Sequence, residues 1–286
     1  MYALKLKNIF YTYSRGTPFE RLALDDVTLN IKRGIITGLM GHTGSGKSTL
    51  VRLFNGLERP DSGEVLVFDR NIWENPKEIT KYRFKVGLVF QYPEYQLFEE
   101  TVYADISYGP KNMGLNSDEI EKRVSQAAEL CRIDKSLLSK SPFDLSGGQK
   151  RRVAIAGIMA MRPEILVLDE PAAGLDPRGR EEIFNGIRDY KDATGATVII
   201  VSHSMEDMAK YSDEIVVMNN GKIYMHDTKS EIFKHSHELC DIGLDIPPIA
   251  YFTEELSRLG IRLPEGLYSS DDCAVALDKL FHSKES

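Results

Sequence analysis

Residues 35–55 read IITGLMGHTGSGKSTLVRLFN: an apolar run, a glycine-rich octet and an amphipathic tail in one continuous line. Ile35–Met40 has the length and character of a short buried strand. From Lys47 to about Asn55 the spacing is helical, and it stops at Gly56, a residue suited to ending helices. Between them, Gly41-His42-Thr43-Gly44-Ser45-Gly46-Lys47-Ser48 fits G-x-x-x-x-G-K-[ST]. Glycines let the backbone turn tightly and aim successive N–H groups at a phosphate. The helix that follows adds the partial positive charge of its N-terminus. Lys47 is then placed to reach the β- and γ-phosphates, the Ser48 hydroxyl to ligate Mg2+, and Thr49 to complete the cradle. A strand, loop and helix in this order predict a nucleotide site.

Working outward, Ile165-Leu166-Val167-Leu168-Asp169-Glu170 is a buried strand ending in adjacent carboxylates. Ligands of open α/β sheets lie beyond such strand ends. Asp169 is expected to hold Mg2+ through a water, and Glu170 to polarise an attacking water as general base. Further strands are expected at Tyr2–Ile9, Val27–Ile31, Glu64–Phe68, Val86–Phe90, Ala196–Val201, Glu214–Met218 and Lys222–Met225, the last two joined by Asn219-Asn220-Gly221. Residues from about 92 to 161 read as mainly helical. In one helix, starting at Ser117, Ile120, Val124, Ala127, Ala128 and Cys131 recur at helical spacing. The fold class is therefore α/β with a largely parallel sheet. After Thr228 the character changes: Pro247-Pro248 and Pro264-Glu265-Gly266 punctuate short helical pieces, and Ser270-Asp271-Asp272 starts a last helix. Residues 229–286 read as an appended region.

The composition, 42% hydrophobic and 28% charged over 286 residues, is that of a globular chain. A net charge of −7 argues against a general affinity for nucleic acid or anionic lipid. Cys131, Cys240 and Cys273 form no metal-spaced pair and are expected to be inert thiols in a reducing compartment. Residues 1–16 lack the apolar core and cleavage site of a secretory leader. No apolar run approaches the roughly 20 residues that span a bilayer. If the chain works at a membrane, another chain must carry the spanning helices.

Leu145-Ser146-Gly147-Gly148-Gln149 is a second glycine-rich helix start. One nucleotide needs only one cradle, so a second anion-binding helix end makes sense on the nucleotide of a partner subunit. With this motif in place, the chain resembles an ABC-type ATPase cassette over residues 1–228. The resemblance implies a P-loop ATPase core with an antiparallel β subdomain and an inserted helical subdomain at about 92–161, using ATP and Mg2+. It implies that Tyr13 stacks on adenine, and that Gln91 joins the core to the helical subdomain and contacts Mg2+ and the lytic water. It also implies that Asp176, in Gly174-Leu175-Asp176-Pro177, crosses a dimer interface and that His203 contacts the γ-phosphate. In that family two cassettes pair head to tail and sandwich two ATP molecules.

Residues 90–102, FQYPEYQLFEETV, with Tyr108-Gly109-Pro110-Lys111-Asn112, closely resemble the ATPases of energy-coupling-factor (ECF) importers of vitamins and metal ions. The resemblance implies a short helix after Gln91 that receives basic coupling helices of a transmembrane scaffold protein. Glu94, Tyr95, Leu97, Glu99 and Glu100 are the expected docking residues, while part of the set Tyr92, Tyr95, Leu97 and Phe98 is expected to pack inside. The unbroken run from Asp169 to Arg180 looks like the second (A′) of the two paralogous ATPases in such modules, and 229–286 like their dimerising extension. The implied partners are a second ABC ATPase, identical or paralogous, the scaffold and a substrate-capturing membrane protein, with no nucleic acid. The implied place is the cytoplasmic face of the cell membrane, peripherally held. The alternatives are an ATPase subunit of another ABC importer or a non-transport ABC ATPase. Gly46 and Leu145 lie too close for a coiled-coil arm, and only one cassette is present, which disfavours the latter.

Overall fold

Every residue of Ile36–Met40, Ile165–Asp169 and Thr197–Val201 is buried, a pattern that requires cover on both faces of a sheet. The computed structural model, which describes residues 1–245, 248–261, 263–264, 267 and 270–282, provides that cover. Its strands are β1 (Tyr2–Tyr13), β2 (Arg21–Lys32), β3 (Ile36–Met40), β4 (Ser62–Val67), β5 (Arg70–Asn71), β6 (Val86–Val89), β7 (Ile165–Asp169), β8 (Thr197–Val201), β9 (Glu214–Asn219) and β10 (Lys222–Thr228). Its helices are α1 (Lys47–Phe54), α2 (Ile79–Lys85), α3 (Val102–Asn112), α4 (Ser117–Leu130), α5 (Gly147–Ala160), α6 (Pro177–Thr194), α7 (Met205–Tyr211), α8 (Lys229–Lys234), α9 (Ser236–Asp241), α10 (Pro248–Arg258) and α11 (Ser270–His282).

One sheet has the order β10-β9-β3-β8-β7-β6, parallel from β9 to β6 with β10 antiparallel at its edge. The other, β2-β1-β4-β5, is antiparallel. Alternation along each parallel strand sorts side chains into two cores. Leu166, Leu168, Val198, Ile200 and Val217 join one core with residues of α3 to α7. Ile165, Val167, Ile199, Val201 and Val216 join the other with α1 and the antiparallel sheet. The helical insert is built into the first core through Ile106 of α3, Val124 of α4 and Val153 and Ala156 of α5.

β1 and β2 extend beyond Tyr2–Ile9 and Val27–Ile31, pairing as far as Tyr13 with Arg21. The outer end of β1 is polar and aromatic, that of β2 mixes Leu22 and Leu24 with charges, and register shifts interrupt the pairing, so no long apolar alternation marks them. Helix α2 has no fully buried residue; Ile79 and Tyr82 rest half-buried against the second core, too short a run to announce a helix. Past Thr228, Ile232, Phe233, Leu239 and Leu244 are buried in the first core, which ties α8 and α9 to the layers around the parallel sheet. Pro247, Glu265 and Gly266, expected as punctuation, lie outside the described residues. Among the described residues no helix is long and apolar enough to cross a membrane.

Gly186 lies where α6 passes the end of α4, and a Cβ there would meet the Leu130 carbonyl oxygen. Alanine would improve helix propensity by about 1 kcal/mol, whereas overpacking against fixed backbone costs about 1–3 kcal/mol. The clash should win, so Gly186→Ala is expected to lower the urea midpoint. A midpoint at or above that of the parent chain would contradict this close approach.

Candidate functional site

The octet after β3 is glycine-rich for steric reasons. Gly41 has φ 152, and a Cβ there would lie 2.5 Å from both the Met218 carbonyl oxygen and Ser45 Oγ. Gly46 precedes α1 at φ 106, where a Cβ would approach the Ala23 carbonyl oxygen at 2.8 Å. The loop is pinned to the β9–β10 hairpin: His42 Nε2 lies 3.1 Å from Asn219 Oδ1, and Gly221 N donates to the Ser45 carbonyl at 2.9 Å. Lys47 Nζ donates to the carbonyls of Gly41 (2.6 Å) and His42 (3.1 Å). Burial lowers the Lys47 pKa, and the charges of Glu170 and Asp169 oppose that shift. Ser45 Oγ is buried without a hydrogen-bond partner, a polar atom inside the curl of the loop.

β7 delivers Asp169 and Glu170 to the same edge, 8% and 9% exposed. Burial raises the Asp169 pKa, the Glu170 charge adds to this, and Lys47 and a hydrogen bond with the Ser48 side chain oppose it. Glu170 adopts φ 51, a left-handed conformation that a non-glycine residue takes at a cost of roughly 1–3 kcal/mol. Its N–H donates to the Val201 carbonyl at 2.9 Å. Its Oε1 accepts from the His203 backbone N–H at 2.9 Å and faces His203 Nδ1 at 2.7 Å. An ionised carboxylate can only accept, so Nδ1 is the ring nitrogen that donates to Glu170, and Nε2 is not engaged by it.

These groups line one cleft of about 810 Å³, together with Tyr13, Thr49 and Gln91. A smaller adjoining cleft brings Ser48, Gln91 and Asp169 together. A hydroxyl, an amide and a carboxylate suit a hard cation such as Mg2+, which takes few protein ligands beside phosphate and water. The Tyr13 hydroxyl is 3.0 Å from Thr49 Oγ1, and its ring meets Tyr11 edge to face at 4.9 Å. Arg21, opposite Tyr13 in the sheet, reaches the Gly44 carbonyl at 3.5 Å and lines the cleft with Asp245. Neither was found from sequence: Arg21 belongs to an unread strand end, and Asp245 arrives through tertiary packing.

The other motif residues lie elsewhere. Ser146 and Gln149 form a capping box at the start of α5, with Ser146 N donating to Gln149 Oε1 at 2.9 Å and Gln149 N to Ser146 Oγ at 3.4 Å. Leu145 is buried, Gly147 has open space around it, and none of residues 145–149 lines the larger cleft. Asp176 caps α6, accepting from Gly179 N at 2.7 Å.

After Gln91 the chain makes a single 3-10 turn, Pro93–Gln96. Tyr95 is 85% exposed, and Phe98 and Tyr108 stand edge to face on the surface, 4.9 Å apart. Glu100 is exposed and Glu99 half-buried. Two expected docking residues face inward instead. Leu97 is buried in the first core, because the turn ends in extended backbone that directs it under the segment. Glu94 is paired with the guanidinium of Arg151 at 2.8 and 3.1 Å. Asp105, not singled out from sequence, accepts from the N–H groups of Phe98 (3.2 Å) and Glu99 (3.4 Å) and so shapes the exposed segment.

Residues 24–173 match the family model described as ABC transporter. The chain belongs to the ABC transporter family. Within it, the chain is 46% identical over 283 residues to the energy-coupling factor transporter ATP-binding protein EcfA2 of Clostridium tetani (strain Massachusetts / E88), spanning 99% of this chain and 98% of that protein. The structure of cbiO1 from Clostridium perfringens, described as part of the ABC transporter complex cbiONQ, superposes with a TM-score of 0.75 at 41% identity, over 88% of this chain and 99% of that one. The dimeric, post-hydrolysis ATP-binding cassette MJ0796, bound to ADP and Pi, gives 0.71 at 30% identity over 79% and 98%. This cassette is thus an ATP-binding, ATP-hydrolysing subunit of the energy-coupling factor type, and the likeness to EcfA2 agrees with the paralogue read from the unbroken Asp169–Arg180 run.

Glu170→Gln is expected to lower turnover by about 10²–10⁴-fold while ATP still binds; a rate equal to the parent's would remove Glu170 as the base. Lys47→Ala should weaken ATP itself, read by equilibrium nucleotide binding, and retained affinity would contradict the cradle's geometry.

Proposed function

We propose that the cassette works as one half of a head-to-tail ATPase pair, docked on a transmembrane scaffold, that drives uptake of a vitamin or metal ion captured by a further membrane protein. The observation that carries the reading is the incompleteness of the cleft. It gathers the cradle, Gln91, Asp169, Glu170 and His203, yet the signature Leu145–Gln149 lies outside it. The dimeric form of the cassette MJ0796 supports a pairing of two cassettes. The partner, identical or paralogous, would bring its signature to this ATP and take this chain's signature to its own, with Asp176 at the contact. Residues 229–286 would add to the pairing.

In this reading the N–H groups of residues 41–48 and Lys47 hold the β- and γ-phosphates, and the Tyr13 ring lies against adenine. Ser48 and Gln91, with Asp169 through a water, would hold Mg2+, which when bound neutralises charge on the phosphate oxygens. Glu170, aimed by His203, takes the proton of the attacking water. His203 Nε2 is the ring nitrogen left for the γ-phosphate, to which it would donate when the imidazole carries its second proton. Catalysis is then positioning plus charge neutralisation, as is general for phosphoryl transfer.

Exposed Tyr95, Phe98 and Tyr108 form an aromatic surface that a monomer has little reason to present. With Glu99 and Glu100 beside it, the surface suits an apolar helix that carries arginines. The place would be the cytoplasmic face of the membrane, held through the scaffold. Reversing Glu99 and Glu100 to lysine is expected to abolish capture by the scaffold and leave nucleotide affinity unchanged. Normal capture of the double variant would sink the docking assignment.

A further inference from the structure

Arg151 lies on α5, just beyond the signature, and is 4% exposed. Its Nε and Nη2 donate to the two oxygens of Glu94 (3.1 and 2.8 Å), in the turn that follows Gln91. Its Nη1 donates to the Ala173 carbonyl, in the loop between Glu170 and Asp176. That loop is closed on itself by bonds from Ala173 N to the Glu170 carbonyl and from Leu175 N to the Ala172 carbonyl, both 3.3 Å. The guanidinium also sits 5.9 Å from the centre of the Tyr92 ring. One side chain thus bonds the turn after Gln91 and the loop after the general base to the helix that carries the signature.

We propose that Arg151 is a positioning residue. Through its planar fork, the turn after Gln91, the signature helix and the Glu170–Asp176 loop move as one rigid unit, so a push on the turn reaches the partner's ATP and the chain's own base together. The transmission half of this inference rests on the docking reading above; the rigid-unit half stands on the bonds alone. A guanidinium suits the task because its donors are fixed in one plane and match a carboxylate edge, which a lysine ammonium cannot do. Burial makes the link stiff: with one partner removed, the other is left as an uncompensated charge and the three segments lose their common anchor. Glu94 is therefore a strut rather than a docking residue.

The test measures ATP turnover of the assembled transporter with Arg151→Lys, Glu94→Gln and the double variant, alongside scaffold capture and thermal midpoint. Arg151→Lys should lower kcat by about 10–100-fold, the scale of small misplacements, and leave KM for ATP within about twofold. Glu94→Gln, nearly isosteric, should act in the same direction. The double variant should be no more than about twofold worse than Arg151→Lys, because the two residues form one device. Capture by the scaffold should be kept by all three, which separates this result from a failure of docking. Unchanged kcat, multiplied losses in the double variant, a loss confined to KM, or loss of capture by Glu94→Gln would each overturn the proposal. Should Arg151→Lys not fold, Glu94→Gln carries the test alone, and unchanged kcat would then overturn it.

Discussion

A strand buried on both faces can present polar groups only at its ends, and this constraint organises the molecule. In β3, β7 and β8 every residue is inside. Since these strands are parallel, their C-terminal ends open on one edge. β3 runs into the glycine loop, β7 into Asp169-Glu170, and β8 into Ser202-His203, while β6 on the flank runs toward Gln91. Motifs remote in sequence meet because no other exit exists for a polar group. The same burial makes the site electrostatically sharp: it raises the Asp169 pKa and lowers that of Lys47 in a pocket where each moderates the other. Charges held this way are poorly screened, so they act on a phosphate more strongly than surface charges would.

Local geometry then does what charge alone cannot. Glu170 is held in a left-handed conformation by its backbone bond to Val201 and by two contacts with His203. A general base must be aimed before it is useful, and in the role proposed above Glu170 would have its aim set by backbone and by His203 rather than by a free rotamer. His203 is in turn fixed by the carboxylate it faces, so the proposed base and the proposed phosphate contact are oriented as a pair. The cradle follows the same logic, for its path passes so close to Met218, Ser45 and Ala23 that side chains at Gly41 and Gly46 would collide.

What could be read from sequence was whatever depends on neighbours along the chain. The cradle, the paired carboxylates and the signature are contiguous runs with fixed backbone jobs, and the core strands announce themselves as apolar stretches. The outer ends of β1 and β2 and helix α2 could not be read, because each buries only a residue or two over a short run and leaves no sustained periodic signal. The turn after Gln91 was legible as a surface but not residue by residue. A 3-10 turn has neither the strand nor the helix period, so Leu97 faces in and Tyr95 out without a pattern to say which. The pairing of Glu94 was illegible for another reason. Its partner Arg151 is 57 residues away, and an ion pair across that separation leaves no local trace. Arg21 and Asp245 were missed in the same way, since both reach the cleft only through tertiary packing.

The signature helix shows why half a site can be well ordered on its own. In its capping box, Gln149 N and Ser146 N are satisfied within the motif, which fixes the first turn of α5 without a partner. Helix geometry leaves Gly147 and Gly148 N–H without an intrahelical acceptor, and space is open around Gly147. These donors, with the positive end of the helix dipole behind them, can be satisfied only from outside the chain. In the pairing proposed above, the γ-phosphate would lie between two such helix ends, one from the cradle and one from the opposing signature. Each attracts the anion, and neither can close on it without bringing the two chains together. ATP would then draw the pair shut, and loss of the phosphate would remove the charge that bridges the two helix ends.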